Sequence, residues 1–347
     1  MIIFAVESSC DETAVALVQD GRTVLADCIA SSVEMHKIYG GVVPEIASRK
    51  HIEVISQLAD QALVKAGLTR KDIDAVAVTY APGLIGAVLV GVSFAKSVAY
   101  ALGVPLIPVH HVRGHIAANY IAHPDLEPPF VCLCVSGGTS LIVDVRGYTD
   151  VQILGATRDD AAGECFDKIA RVMGLGYPGG APLDRAAQTG NDQAFQLPRV
   201  HIQDAPLDMS FSGLKTAMLN LIHNTQQKGE DLPVSDLAAS FSAAVSDELV
   251  PRTMAAARST GYKKVAVVGG VAANSRIRRD LEAACQAEGC TLYLPPPQAL
   301  RRQRQHDRQP GVLRVPGRDP RRECFERLRQ PGHLPGLPPL TASKRKK

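Results

Sequence analysis

The chain has 347 residues, 46% apolar and 21% charged; it is too long for one small core and too apolar for a disordered chain, so two domains or one duplicated α/β unit are expected. The net charge of +3 is uneven: residues 301–347 hold eleven Arg and three Lys against four acids, a net of +10, which leaves −7 on residues 1–300. That balance excludes a basic nucleic-acid footprint over the whole body, so an RNA contact has to use local patches or a partner.

The first apolar run, Ile2–Val6, stops at Glu7, far short of a secretory h-region, and the scattered Cys are expected as reduced thiols in a cytosol. Ile2–Glu7, Thr13–Gln19 and Thr23–Ala30 read as three short strands, joined by a polar turn at Ser8–Glu12 and an Asp20-Gly21 hairpin turn. A helix over Ile46–Ala66, a strand over Asp74–Thr79, a helix through Gly86–Leu102 and a strand over Pro105–Val109 follow. Leu84–Val104 is apolar enough to test as a membrane span, but Lys96 lies inside it among Gly and Ala, so a buried helix is expected. Strands at Phe130–Val135, Ser140–Val145 and Val151–Leu154 repeat the opening, with turns at Ser136–Thr139 and Arg146-Gly147. Helices near Asp159–Met173, Gly213–His223 and Ser235–Arg258 come next, then a strand Lys264–Val268, a helix Ser275–Glu288 and a strand Thr291–Leu294. This β-β-β-α-β-α plan used twice is the layout of the actin-like and sugar-kinase ATPase superfamily, in which two ribonuclease-H-like domains close around a nucleotide. It places a first domain at 1–125 and a second at 126–300, and leaves 301–347 as a basic Pro- and Arg-rich tail expected to be disordered. Any α/β protein with two mixed sheets would share the same periodicity.

Three turns can carry a ligand. In Glu7–Thr13, hydroxyls and backbone N–H groups between two strands can hold an anion, and Asp11 can order a metal or a water; an ordinary polar turn has the same composition. In Val135–Thr139 paired Gly lets the backbone approach a ligand closely. In Val267–Asn274 a buried strand feeds a Gly pair on which a nucleoside can pack, with Asn274 reading a polar edge. The sharpest local signal is His110–His115. His111 and His115, four apart, share one face of a helix or turn and can chelate a metal; a pair of surface histidines is the plainer reading. A zinc protease needs a glutamate beside the first histidine, and Val112 stands there. Gly40–Glu45 with Ser48, Arg49 and His51 reads as caps and solvated residues at a helix start. Asp167 can accept hydrogen bonds from a ribose or amine, Gly176–Gly180 with Asp184 forms a loop before a helix, and Lys215 can face an anion.

Together, Glu7–Thr13, Gly40–His51, His110–His115, Val135–Thr139, Gly163–Lys168, Gly176–Gly180, Ser210–Thr216 and Gly269–Asn274 resemble the tRNA N6-adenosine threonylcarbamoyltransferase family, bacterial type, over roughly residues 1–300. The resemblance implies transfer of a threonylcarbamoyl group from its adenylate to N6 of the adenosine 3′ of the anticodon, in tRNAs reading codons that begin with A. It implies one iron(II), or zinc, held by His111 and His115. It implies an adenylate lined by Cys134, Val135, Ser136, Gly137, Gly138, Asp167, Gly180, Asp184 and Asn274. Asp11 is the candidate catalytic residue. A cytoplasmic assembly with tRNA, a shorter paralogue of the same fold and a small ATPase is implied, with no membrane. A small-molecule kinase of the same superfamily would explain the phosphate loops but leave the histidines idle; a non-catalytic scaffold paralogue would be expected to lose them.

The sequence departs from the family after Leu294. The family's Gly-Asp-Asn segment, whose Asp is the third metal ligand, is absent; Gln298-Ala299-Leu300 runs instead into Arg301–Arg308 and a stretch without helical or strand period. Reading the possible codons one base later from Leu300 allows Cys-Gly-Asp-Asn-Ala-Ser-Met-Ile-Gly, the missing motif. A frameshift near Gln298–Leu300 is therefore expected; a genuine basic tail that binds tRNA phosphates is the competing reading.

Overall fold

Runs rich in Val, Ile and Ala build three opening strands, β1 (Ile2–Glu7), β2 (Glu12–Gln19) and β3 (Thr23–Ser31). In the computed structural model, which describes residues 1–199 and 202–294, β1 pairs antiparallel with β2, and β2 with β3. The β2–β3 turn puts Asp20 at φ 52° and Gly21 at φ 76°, the two positive values a type I′ hairpin requires. Then come α1 (Val33–Lys37), α2 (Pro44–Ala66), β4 (Ala75–Ala81), α3 (Ile85–Leu102), β5 (Leu106–His110) and α4 (His111–Ala122). The second half holds β6 (Phe130–Val135), β7 (Ser140–Val145), β8 (Val151–Ala156), α5 (Ala162–Val172), α6 (Gly180–Ala187) and α7 (Ser212–Gln227). It ends with α8 (Val234–Thr260), β9 (Lys264–Val268), α9 (Ser275–Ala287) and β10 (Thr291–Tyr293).

The strands form two five-stranded sheets, ordered β3-β2-β1-β4-β5 and β10-β9-β6-β7-β8. Read from opposite edges, the two orders are one pattern, with the last two strands of each sheet joined in parallel. The duplicated plan expected from the sequence is thus present. Phe4, Val6, Leu17, Val76 and Val78 bury one face of the first sheet against α2 and α3. Val131, Leu133 and Val135 of the second sheet pack on Phe166, Phe241 and Leu249. Each such side chain contributes about 1.5–3 kcal/mol by leaving water. The opposite face of β6 and β9 receives Val112, Ile116 and Tyr120 of α4, so the histidine helix is seated on the second sheet.

Several expectations need correction. The helix at Gly86–Leu102 forms, but only 22% of its apolar stretch is buried. Its inward stripe is Ala87, Gly91, Ala95 and Ala99. These small residues bring α3 so close to β1 that a Cβ on Gly91 would lie 2.2 Å from Ser8 Oγ, and they leave Ile85, Leu89 and Tyr100 outside at 89%, 63% and 90% exposure. Among the described residues α3 is the one helix long and apolar enough to cross a membrane. The helix expected from Asp159 begins at Ala162 instead. Asp159 accepts hydrogen bonds from Ser210 Oγ (2.5 Å), Phe211 N (2.8 Å) and Ser212 Oγ (2.6 Å), and so caps α7 from a distance. The tail 301–347 lies outside the described residues.

Candidate active site

β1 delivers its last residue, Glu7, into the interior at 4% exposure. The turn that follows is tied down from behind, carbonyl by carbonyl. Leu84 N donates to Ser9 O (2.8 Å), His51 Nε2 to Cys10 O (2.9 Å), and Ser32 N to Asp11 O (2.9 Å). Ser8 Oγ donates to Ala87 O of α3 (2.8 Å). Asp11 is half-buried on this anchored turn, two residues beyond Ser9. His51, expected among solvated residues, is buried, with Thr13 Oγ1 2.7 Å from its Nδ1. Its place over the turn explains why: it satisfies a carbonyl and a hydroxyl that no strand partner reaches.

Glu7 Oε1 accepts from Ser9 N (2.5 Å), and Oε2 from Thr79 Oγ1 (2.6 Å) at the end of β4. The same Oε2 lies 3.2 Å from His111 Nδ1. Burial pushes the Glu7 carboxyl up, but hydrogen bonding and charge from His111, with Ser9 and Thr79, outweigh it and hold the pKa at about 2. β5 ends at His110 and α4 starts at once, so His111 and His115 stand one helical turn apart on α4, as their spacing predicts. Their Nε2 atoms are 2.9 Å apart. Two metal–imidazole bonds of about 2.0–2.1 Å place their nitrogens about 2.9 Å apart at the right angle of an octahedral site and about 3.3 Å apart at the tetrahedral angle, so the pair fits one edge of an octahedral site. Without metal, the same spacing is an N–H···N hydrogen bond. No cluster of three His, Cys, Asp or Glu side chains completes that site among the described residues.

The second half assembles the expected adenylate residues around two loops. Cys134 and Val135 close β6, both buried, and Cys134 packs in the same cluster as Val112 and Ile116 of α4. Ser136, Gly137 and Gly138 form the β6–β7 turn, and a Cβ on Gly163 of α5 would lie 2.4 Å from Ser136 O. Gly269, at φ 95°, is equally tight against Val135 O (2.2 Å). Four other glycines behave differently. A Cβ on Gly137, Gly138, Gly180 or Gly270 meets nothing within 4 Å among the described residues, and none of the four takes a left-handed φ. Neither packing nor a left-handed backbone asks for glycine at these four, as is also true of Gly41 and Gly213.

The carboxylates are partly used within the fold. Asp167 Oδ1 accepts from Gly179 N (2.7 Å), fixing the loop before Gly180. Asp184 Oδ1 accepts from Ser275 N (2.9 Å) and Ser275 Oγ (2.8 Å), joining α6 to α9. Asn274, expected to read a polar edge, caps α9 through Oδ1 to Ile277 N (3.1 Å), which leaves its amide nitrogen for that role. Lys215 does not face an open anion site; it pairs with Asp160. Sequence reasoning missed the roles of Glu7, Thr79 and His51, because their function lies in contacts made across 38 to 104 residues of chain. Only the unusual burial of charged or imidazole groups could have marked them.

Two five-stranded sheets of one topology, with glycine loops facing open space between strand and helix, define an actin-like ATPase-fold protein. Solved structures agree at the level of fold: HypF from T. kodakarensis superposes with a TM-score of 0.59 at 16% identity, over 88% of this chain and 48% of that one. Full-length HypF in its phosphate- and nucleotide-bound form gives 0.56 at 15% identity, over 84% and 52%. The family model of tRNA N6-adenosine threonylcarbamoyltransferase (TsaD) matches residues 23–306. Curated proteins of that name from Clostridium botulinum (strain 657 / Type Ba4) and Moorella thermoacetica are 52% and 53% identical over 294 residues, 85% of this chain and 86% of each relative. The chain belongs to the tRNA N6-adenosine threonylcarbamoyltransferase family. It is an acyltransferase of tRNA threonylcarbamoyladenosine modification.

Proposed function

We propose that the donor is threonylcarbamoyl-adenylate and the acceptor N6 of the adenosine 3′ of the anticodon, in tRNAs reading codons that begin with A. The N6 lone pair attacks the carbamoyl carbon, the bond from that carbon to the phosphate oxygen breaks, and AMP leaves while N6 gives up a proton. Four of the glycines that the fold itself does not need carry this reading: Gly137 and Gly138 bracket a phosphate, Gly180 and Gly270 flank a nucleoside. Asp167, Asp184 and Asn274 hold those loops in register and offer their remaining polar atoms to ribose and base. Because the donor is already activated, orientation of an amine and charge stabilisation suffice. Asp11, on its anchored turn, positions the amine or takes its proton.

His111 and His115 hold one iron(II) or zinc. When bound, that ion supplies a Lewis acid for a carbonyl or phosphate oxygen. In the H111A/H115A double variant, stoichiometric metal should be lost while the fold persists; unchanged metal content contradicts the assignment.

Transfer takes place in the cytoplasm and needs partners, a shorter paralogue of the same fold and a small ATPase. The net −7 of residues 1–300 opposes a polyanion, and the apolar outer face of α3 is the kind of surface a protein partner covers. Full-rate modification by the purified chain alone with the adenylate would contradict this. A product assay separates the reading from a kinase of the same fold: AMP and modified tRNA support it, whereas ADP and a phosphorylated small molecule overturn it.

A further inference from the structure

We infer that Glu7 is the positioning residue of the metal site: its carboxylate takes the Nδ1 proton of His111 in a hydrogen bond and thereby turns the Nε2 lone pair toward His115. The inference rests on the metal reading given above. Glu7 lies at the end of β1, 104 residues before His111 in the chain, yet its Oε2 is 3.2 Å from His111 Nδ1. Ser9 Oγ stands at the same distance, 3.2 Å, from that nitrogen. The other face of the ring is taken by His115, Nε2 to Nε2 at 2.9 Å. Both ring nitrogens are thus assigned by geometry, Nδ1 to the carboxylate and Nε2 to the metal edge. A ligating histidine needs this arrangement, since its second nitrogen fixes tautomer and ring orientation and makes the first a better donor.

The carboxylate is itself held rigidly. Ser9 N donates to Oε1, and Thr79 Oγ1 donates to Oε2. Among the described residues no Lys or Arg pairs with it, and the charged-type contact it has is to the His111 imidazole. A buried carboxylate without Lys or Arg is costly, and a positive charge placed beyond the imidazole balances it. Glutamine cannot replace it. The amide nitrogen must face either Ser9 N–H, two donors opposed, or His111 Nδ1, which then has to accept. In the second case the imidazole proton moves to Nε2, the nitrogen that faces the metal.

The test uses the full chain and cobalt(II) alone, titrated by equilibrium dialysis. Glu7→Gln should weaken cobalt binding about 10–100-fold, the usual effect of removing a partner behind a metal-bound histidine. In the H111A background the same substitution should add nothing. In metal-free protein, nitrogen-15 NMR should find His111 protonated on Nδ1 in the wild type and on Nε2 in E7Q. Wild-type cobalt affinity in E7Q, with His111 still protonated on Nδ1, overturns the inference alone. A chain restored to the family's reading frame that takes up no cobalt overturns the metal reading and the inference with it. Should E7Q fail to fold, the wild-type tautomer decides: Nδ1–H supports the inference and Nε2–H overturns it.

Discussion

Glycines in this protein fall into two groups that a single substitution separates. Gly163 and Gly269 face backbone carbonyls at 2.4 and 2.2 Å from an added Cβ, so alanine at either should cost more than about 2 kcal/mol of stability, read by denaturant melts. Gly138 and Gly180 face open space. Alanine there should change stability by less than about 0.5 kcal/mol and weaken AMP binding at least about tenfold, read by calorimetry. Loss of stability without loss of AMP affinity would remove these two from the ligand site. His51 makes a different prediction. Burial holds its pKa below the ordinary imidazole value, against the hydrogen bond to Cys10 O and the nearby carboxylates of Glu7 and Asp11. The folded form therefore binds its proton less readily than the unfolded chain, and stability should fall as pH drops through about 6.5. In His51→Gln that part of the pH dependence should vanish; an unchanged slope between pH 7 and 5.5 would assign it to another group.

At the scale of elements, α3 shows what sequence patterning conveys and what it conceals. Its length and apolar content are plain in residues 85–102, and so is its helical period. Which side faces inward is not, because the buried stripe consists of the smallest residues and the bulky ones point out. A hydrophobicity pattern reverses its meaning where close packing on Ser8 selects Gly91. The strands were readable almost to the residue, since short continuous apolar runs and the Asp20-Gly21 turn are local signals. The short α1 and the link from Glu7 to His111 were not, since they depend on long-range contacts. Two substitutions test these elements. Leu89→Asp, on the outer face of α3, should abolish binding of the paralogue in a pull-down and leave AMP affinity unchanged; retained binding would place the partner elsewhere. Asp159→Ala removes the remote cap of α7 and should cost about 1–2 kcal/mol, measured by urea unfolding.

For the whole molecule, one five-strand order is used twice: the first copy brings the buried Glu7 carboxylate and the anchored Asp11 turn, the second the glycine loops, and α4, which follows β5, packs on the second sheet. The histidine pair and the loops were recognisable from their spacing, but the third metal ligand that the resemblance implies would fall after Leu294, and its Gly-Asp-Asn segment is absent from the sequence there. The relatives align over 294 residues, which leaves in each an unmatched share comparable in size to residues 301–347. A shifted reading frame near Gln298–Leu300 accounts for both facts. Resequencing of the locus checks it: an in-frame Arg301–Lys347 together with normal tRNA modification in the cell would refute it. The chain as written should bind metal at least about 10–100-fold more weakly than the restored-frame chain, as expected for loss of a ligand carboxylate. The central claim is tested most directly by mass spectrometry of tRNA nucleosides from cells whose own threonylcarbamoyltransferase has been depleted and replaced by this gene in the restored frame. Return of the threonylcarbamoylated adenosine, and its loss in H111A/H115A, is the predicted result; a nucleoside profile identical with and without the gene would contradict it.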